Sequence, residues 1–167
     1  MKKKMTIVIW HTKSIANVVV ALTNVMALLP LHYLFHKKDI ISFTIVYQAM
    51  IASFFYHLFE SHKHNLTGFG TSTKCSQHLL RLDSICASIL FLYITTQSFL
   101  HEYYKDKKLW ILTLFAFLCF GLSEFNSFFS QHKWQFAIVH GLWHVIGFYI
   151  VYYVSKKSNS KKKSNTC

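Results

Sequence analysis

The chain has 167 residues, of which 53% are hydrophobic and only six are acidic, and its formal net charge is +12. Together with a mean hydropathy of +0.29, this composition is typical of a protein that crosses a membrane several times, and it argues against a soluble domain. A basic balance often indicates nucleic-acid binding, but here the lysines lie at the ends of apolar runs and in the two tails. Cations meet lipid headgroups at such positions, so we expect membrane lipid, and no nucleic acid, as the partner.

Five apolar stretches of about 20 residues follow one another, and each is long enough to cross about 30 Å of hydrocarbon. They predict an all-α, polytopic transmembrane helix bundle with spans at residues 15–35, 40–59, 79–100, 109–129 and 134–154. A basic N-terminal segment, residues 1–14, precedes the bundle. The lysine-rich tail, residues 155–167, is low in complexity, and we predict that it is disordered.

Histidines at helical spacing distinguish the fifth span from an ordinary membrane helix. His140 and His144 are four residues apart, so both imidazoles lie on one face of the helix. Two such histidines form half of a zinc site, and placing them in hydrocarbon is unfavourable without compensation. Ser53 and His57 repeat this spacing near the end of the second span, and Asp83 lies near the start of the third.

The number of spans fixes the side of the membrane on which these residues lie. We define side A as the side of the N-terminus and side B as the opposite side. The end of span two, the start of span three and the first half of span five then all lie on side A. The residues that converge in this leaflet are Ser53, His57, Asp83, His140 and His144.

This convergence predicts a zinc site with His57, His140 and His144 as its ligands. Zinc (Zn²⁺) binds three imidazoles readily and lowers the pKa of a water molecule in its fourth position to about 7. We predict Asp83 and Ser53 as the catalytic residues. Asp83 would bind the water or take its proton, while Ser53 would orient the water or stabilise a developing oxyanion.

Each of these residues also has a purely structural interpretation. A single histidine in a membrane helix often only hydrogen-bonds a neighbouring helix, and Asp83 could be a helix-end residue paired with Arg81. Glu124 and Asn126, near the side A end of span four, could support a histidine or could cap the helix. Other histidines lie at span ends or in loops, where we expect solvated positions: His32, His62, His64, His78, His101 and His132.

The motifs SFFYH, LLRLDSICAS and HGLWH resemble those of the CREST superfamily of membrane proteins. This superfamily comprises alkaline ceramidases, adiponectin and progestin receptors, lipases that remodel glycosylphosphatidylinositol anchors, and the transmembrane-protein-8 and myomaker branch. The run HKKDIISFTIVYQAMIASFFYHLFE and the closing HGLWH are most similar to this last branch. The resemblance covers residues 24–83 and 140–154. It implies the same zinc ligands, the same two residues beside the metal, and a lipid-directed hydrolase ancestry.

The resemblance implies either an enzyme or a membrane interaction protein. The enzyme would be a zinc-dependent hydrolase of a lipid amide or ester, of the ceramidase or phospholipase type. The alternative is a non-enzymatic, myomaker-like interaction or fusion protein with a structural metal site; a receptor-like bundle is a third. The superfamily usually has seven spans, so this chain looks like a shortened member. Without the two missing helices, a closed substrate cavity would require a homo-oligomer.

The distribution of charge gives an orientation in the membrane. Side A carries eight of the 18 Lys and Arg residues and side B carries ten, which favours a cytoplasmic side B. The glycosylation acceptor Asn65-Leu66-Thr67 in a side A loop agrees with this orientation, whereas the basic start MKKK favours the opposite one. We expect a multi-pass protein of the plasma membrane or an endomembrane, with its C-terminus in the cytoplasm.

Overall fold

The computed structural model describes residues 12–164, apart from eight positions in two loops: His62, Asn65, Thr67, Gly70, Thr71, Ser127, Phe129 and Ser130. The regular structure of the described residues is all helical, as predicted. The main helices are α1 (Thr12–Thr23), α2 (Leu28–His36), α3 (Ile40–Phe59), α4 (Thr73–Leu100), α5 (Lys107–Phe125) and α6 (Lys133–Ser164). Short 3-10 helices occupy Asn24–Ala27 and Tyr103–Lys105. Asn65 and Thr67 of the predicted glycosylation acceptor, and residues 1–11 of the N-terminal basic segment, lie outside the described residues.

Five helical segments of the described chain are long and apolar enough to cross a membrane, which confirms the predicted number. They are Ile15–His36, Ile40–Phe59, Thr73–Leu100, Lys107–Phe125 and Lys133–Ser158. Their ends differ from the prediction where polar caps decide them. α4 begins well before residue 79, because the Ser72 hydroxyl accepts a hydrogen bond from the backbone N–H of Cys75. α5 ends at Phe125, short of residue 129, because Asn126 is extended.

The first span is interrupted at its centre by the 3-10 helix Asn24–Ala27. Pro30 has no N–H to donate to the carbonyl of Met26 four residues earlier, so the regular α-helical bonding is broken just before the proline. The interruption lies where Thr23 and Asn24 meet α6.

The helices are arranged around the first span. α1 and α2 contact α3 on one side and α6 on the other, while α4 packs on α3 and α5 packs on α6. The main core lies between these helices and includes Leu34, Val46 and Phe148. A smaller cluster at the side A end contains Ala16, Val20, Leu66, Phe136 and Ala137. This order brings α3, α6 and the first span together at the centre of the bundle.

The last helix continues through Ser164, although the sequence predicted disorder for residues 155–167. Contacts with the loop between α4 and α5 explain its first turn beyond the predicted span. The Lys157 ammonium group donates a hydrogen bond of 2.5 Å to the carboxylate of Asp106 and lies 5.2 Å from the ring centre of Tyr103. The tail is therefore attached to the bundle at its start.

The Asp106 carboxylate should stabilise the fold in a pH-dependent way. Hydrogen bonds from Lys157 and then from Tyr153 lower the pKa of Asp106 from 3.8 to about 2. Because this pKa is lower in the folded state than in the unfolded state, the contribution is fully present above about pH 4 and is lost as the pH falls towards 2. We expect Asp106→Asn, which keeps a cap for α5, to destabilise the protein by about 1 kcal/mol at pH 7.

Thermal unfolding in detergent, followed by circular dichroism at several pH values, measures this effect. The difference in melting temperature between the variant and the wild type should shrink between about pH 4 and pH 2. Equal melting temperatures at pH 7 would show that the contact contributes nothing.

Candidate metal site

Three buried histidines meet in the side A half of the bundle: His57 on α3, and His140 and His144 on α6. The ring centroids of each pair are 4.8 to 4.9 Å apart, so the imidazoles form an almost equilateral triangle. Each residue offers one ring nitrogen that lies within 4.8 Å of the other two. These three histidines could hold a metal ion, and they are the three that the sequence predicted as ligands.

The imidazole of His144 is held by the end of α1. Its Nδ1 lies 2.9 Å from Oγ1 of Thr23, and the amide of Asn24 lies 3.4 Å from the same nitrogen. The Thr23 hydroxyl donates its own proton to the carbonyl of Val20, at 2.5 Å. Thr23 can therefore only accept from His144, which places the ring proton on Nδ1.

The imidazole of His140 is held in the same way by the end of α5. Its Nδ1 lies 3.0 Å from the hydroxyl oxygen of Ser123 and 3.3 Å from Oε1 of Glu124. The Ser123 hydroxyl donates to the carbonyl of Phe120, so it accepts from the histidine. Both partners thus indicate a proton on Nδ1 of His140.

A buried carboxylate holds the third imidazole. Nδ1 of His57 lies 3.1 Å from Oε2 of Glu60, the residue that follows α3. The second oxygen of Glu60 accepts a hydrogen bond of 2.9 Å from the Tyr56 hydroxyl. Asn17 on α1 fixes this turn, because its amide donates to the backbone carbonyls of both His57 and Glu60, at 2.8 and 2.9 Å.

The acceptors at Nδ1 therefore favour the same tautomer in all three neutral imidazoles, with the proton on Nδ1 and a lone pair on Nε2. Nε2 of His57 is buried and has no hydrogen-bond partner among the described residues. Buried nitrogens are rarely left in this state, and histidines that bind metals usually donate the opposite N–H to a nearby acceptor. The arrangement is therefore one that could bind a metal ion.

The two predicted catalytic residues lie next to the histidines. The hydroxyl oxygen of Ser53 is 3.4 Å from Nε2 of His144. The same hydroxyl hydrogen-bonds the carboxyl group of Asp83 on α4, which also interacts electrostatically with His57. Arg81 is exposed, whereas Asp83 is partly buried against the site. The structure thus brings all five predicted site residues together.

The site concentrates negative charge. Of the six acidic residues in the chain, three lie around the histidines: Glu60, Asp83 and Glu124. Glu60 is completely buried, and Lys63 lies 3.8 Å from Glu124 at the rim. Buried carboxylates require positive charge or hydrogen bonds nearby, and a divalent cation at the histidines would provide the charge.

The sequence predicted the histidines, Ser53 and Asp83, but it did not predict most of the residues that hydrogen-bond the histidines. Glu124 was considered as support for a histidine, and it does contact His140. Asn126 instead accepts a hydrogen bond from the N–H of Phe128 at the helix end. The sequence feature that could have indicated Ser123 and Glu124 is that they form a polar pair within an apolar span. The supporting residues that were missed are Asn17, Thr23, Glu60 and Ser123.

No family model and no solved structure matches the chain. The chain is similar to the uncharacterized protein L282 of Acanthamoeba polyphaga mimivirus, with 31% identity over 151 residues. The match covers 84% of this chain and 96% of the mimivirus protein, so the two are similar over most of their lengths.

A glycine permits the contact between the first span and the histidines. A Cβ atom at Gly141 would lie 2.9 Å from Cγ2 of Thr23, which is closer than carbon atoms pack. At Gly147, on the same helix, a Cβ atom would meet nothing within 4 Å. Gly141 therefore lets Thr23 approach closely enough to bind His144.

The two glycines form a matched pair for mutation. Gly141→Ala should displace Thr23, weaken its hydrogen bond to His144 and destabilise the protein by about 1 kcal/mol. Gly147→Ala should be neutral or slightly stabilising, because alanine favours a helix by up to about 1 kcal/mol. Thermal unfolding in detergent compares the two, and identical melting temperatures would mean that the close approach has no energetic role.

Proposed function

The chain belongs to the same family as the mimivirus protein L282, and from the chemistry of the site we propose that it is a membrane protein with a zinc ion bound by His57, His140 and His144. The observation that carries this proposal is the shared tautomer of the three buried imidazoles. Each Nδ1 is held by a protein acceptor, which leaves Nε2 of each ring for a ligand, and one ring nitrogen of each residue lies within 4.8 Å of the other two. A cation is the partner that satisfies three converging lone pairs.

The donor set favours zinc over the other common metals. Calcium and magnesium prefer cages of oxygen atoms, whereas three neutral imidazoles suit zinc and leave a fourth position open. Around tetrahedral zinc the nitrogens would be about 3.3 Å apart. The present nitrogens lie within 4.8 Å of one another, so small rotations of the rings are enough.

We propose that the site hydrolyses an amide or ester bond of a lipid. When bound, zinc would act as a Lewis acid that makes hydroxide available near neutral pH. The Asp83 carboxylate could accept a proton from a water molecule at the histidines. The Ser53 hydroxyl, which hydrogen-bonds Asp83 in the structure, could orient that water. Leu82 and Ile85, which flank Asp83 on α4, are half exposed or more, as expected for a site reached from lipid. The resemblance to CREST hydrolases supports the same reaction.

A metal analysis tests the first part of the proposal. Detergent-purified wild type should contain about one zinc ion per chain after dialysis against a weak chelator, and His140→Ala combined with His144→Ala should lose it. His78→Ala, which changes an exposed histidine on α4, should retain the metal. A folded wild type without bound metal would remove the basis of the proposal.

An activity assay tests the second part. Asp83→Asn should reduce hydrolysis of ceramide or phospholipid by a factor of about 10² to 10⁴ while the zinc content stays unchanged. Asp106→Asn, which alters a carboxylate at the opposite end of the bundle, should retain the activity of the wild type. Turnover that survives Asp83→Asn would exclude Asp83 as the base.

A structural role for the metal is the second candidate, in a non-enzymatic protein for membrane interaction or fusion. The positions of the site residues along the chain favour this role, because every one of the five spans contributes one. These residues are Thr23, His57, Asp83, Ser123 and His140. An ion at this point would fasten the whole bundle. In that case His144→Ala should unfold the protein, and Asp83→Asn should have little effect on any property.

We also propose that the C-terminus is cytoplasmic. At the side B end, lysines lie over tyrosine rings, with Lys108 at 5.0 Å from the ring centre of Tyr153 and Lys156 at 5.8 Å from that of Tyr152. Lysines anchored in an aromatic belt are typical of the inner membrane surface.

A further inference from the structure

The described residues of the loop between α3 and α4 pack over the side A end of the bundle. Leu66 is buried against α1 and α6, where it contacts the cluster that includes Phe136. A Cβ atom at Gly68 would lie only 2.4 Å from the backbone of Phe59, so the loop runs directly along the end of α3. The backbone N–H of Phe69 also bonds the carbonyl of Leu58. The described part of this loop is thus folded onto the metal site.

His64 is the residue of this loop that reaches the site. Its backbone adopts the left-handed conformation, with a φ of 57°, which is unfavourable for most residues. Its ring stacks on Phe136, with centroids 3.8 Å apart and an angle of 12° between the planes. The sequence indicated a solvated histidine here, but only 6% of the side chain is exposed.

The imidazole of His64 lies between two carboxylates. Its Nε2 is 3.8 Å from Oε1 of Glu60 and 3.7 Å from Oε1 of Glu124. These carboxylates hold different ligands, because Glu60 contacts Nδ1 of His57 and Glu124 contacts Nδ1 of His140. His64 therefore lies between the carboxylate that contacts His57 on α3 and the carboxylate that contacts His140 on α6.

We propose that His64 is a positioning residue of the metal site and that it acts through Glu60 and Glu124. By keeping the two carboxylates in place, it fixes the orientation of His57 and His140 without touching the metal. This inference rests on the proposed metal site. Mutation of a residue that hydrogen-bonds a metal ligand typically weakens metal binding by a factor of about 10 to 100. The loss of His64 should therefore change the zinc affinity measurably.

Substitutions that separate side-chain reach from backbone conformation test this role in the full chain, purified in detergent. Asparagine tolerates the left-handed conformation, but its side chain is too short to contact both carboxylates. His64→Asn should therefore weaken zinc binding, measured by competition with a chromogenic chelator, by a factor of about 10 or more. It should also change the visible absorption spectrum of the cobalt-substituted protein, which reports the geometry of the ligands.

His64→Gln places an amide donor near the position of Nε2 and should restore most of the affinity and the spectrum of the wild type. His78→Gln serves as the control with an exposed histidine, and circular dichroism establishes that each variant is folded. If the wild type binds zinc but His64→Asn binds it equally well with the same cobalt spectrum, the role of His64 is refuted and the metal site stands. If the wild type binds no metal, the proposed function fails together with this inference.

Discussion

The hydrogen bonds to Nδ1 of the three histidines are the interactions on which the site depends. Buried polar groups in a membrane bundle need partners from the protein, and here several elements provide one for Nδ1 of each histidine. Thr23 supports His144, Ser123 supports His140 and Glu60 supports His57. These bonds favour the same tautomer in each ring. The position of the lone pairs therefore depends on the packing of several helices against one another. Without them, each imidazole could rotate or exchange its proton and the triangle would not be defined.

This dependence also shows which parts of the chain surround the three histidines. The histidines belong to α3 and α6, and the groups behind them belong to the first span, to α5 and to the turn after α3. The shell around the three imidazoles is therefore complete without further helices. α4, which carries Asp83, packs on α3 and leaves its outer face open, with Ile85 and Ile89 exposed. The groups that hold the three imidazoles thus come from two of the five spans and from the turn after α3.

The sequence predicted the number of spans and the central residues, because both follow from simple periodicities. Apolar runs of about 20 residues specify membrane helices, and polar residues four apart share a helix face, so counting the spans was sufficient to bring His57 to His140 and His144. Thr23 and Ser123 could not be identified in this way, because their role depends on the rotation of neighbouring helices and on which hydroxyl already donates to its own backbone. The start of α4 was not predicted correctly, because the side chain of a single residue, Ser72, determines it. The helical tail was not predicted, because its first turn is held by the contact of Lys157 with Asp106, which is distant in the sequence.

The charges around the three histidines favour the proposed divalent cation. Glu60, Asp83 and Glu124 carry three negative charges when they are ionised. Lys63 supplies one positive charge at the rim of the site. A divalent cation at the histidines would add to the positive charge of Lys63 and offset more of the negative charge of the cluster. The carboxylates are also unequal in role: those behind His57 and His140 increase the basicity of the two rings, while Asp83 remains beside Ser53 on the open side of the triangle. In the proposed hydrolysis, the carboxylates of Glu60 and Glu124 would therefore support the ligands, and the carboxylate of Asp83 would be the one that handles a proton.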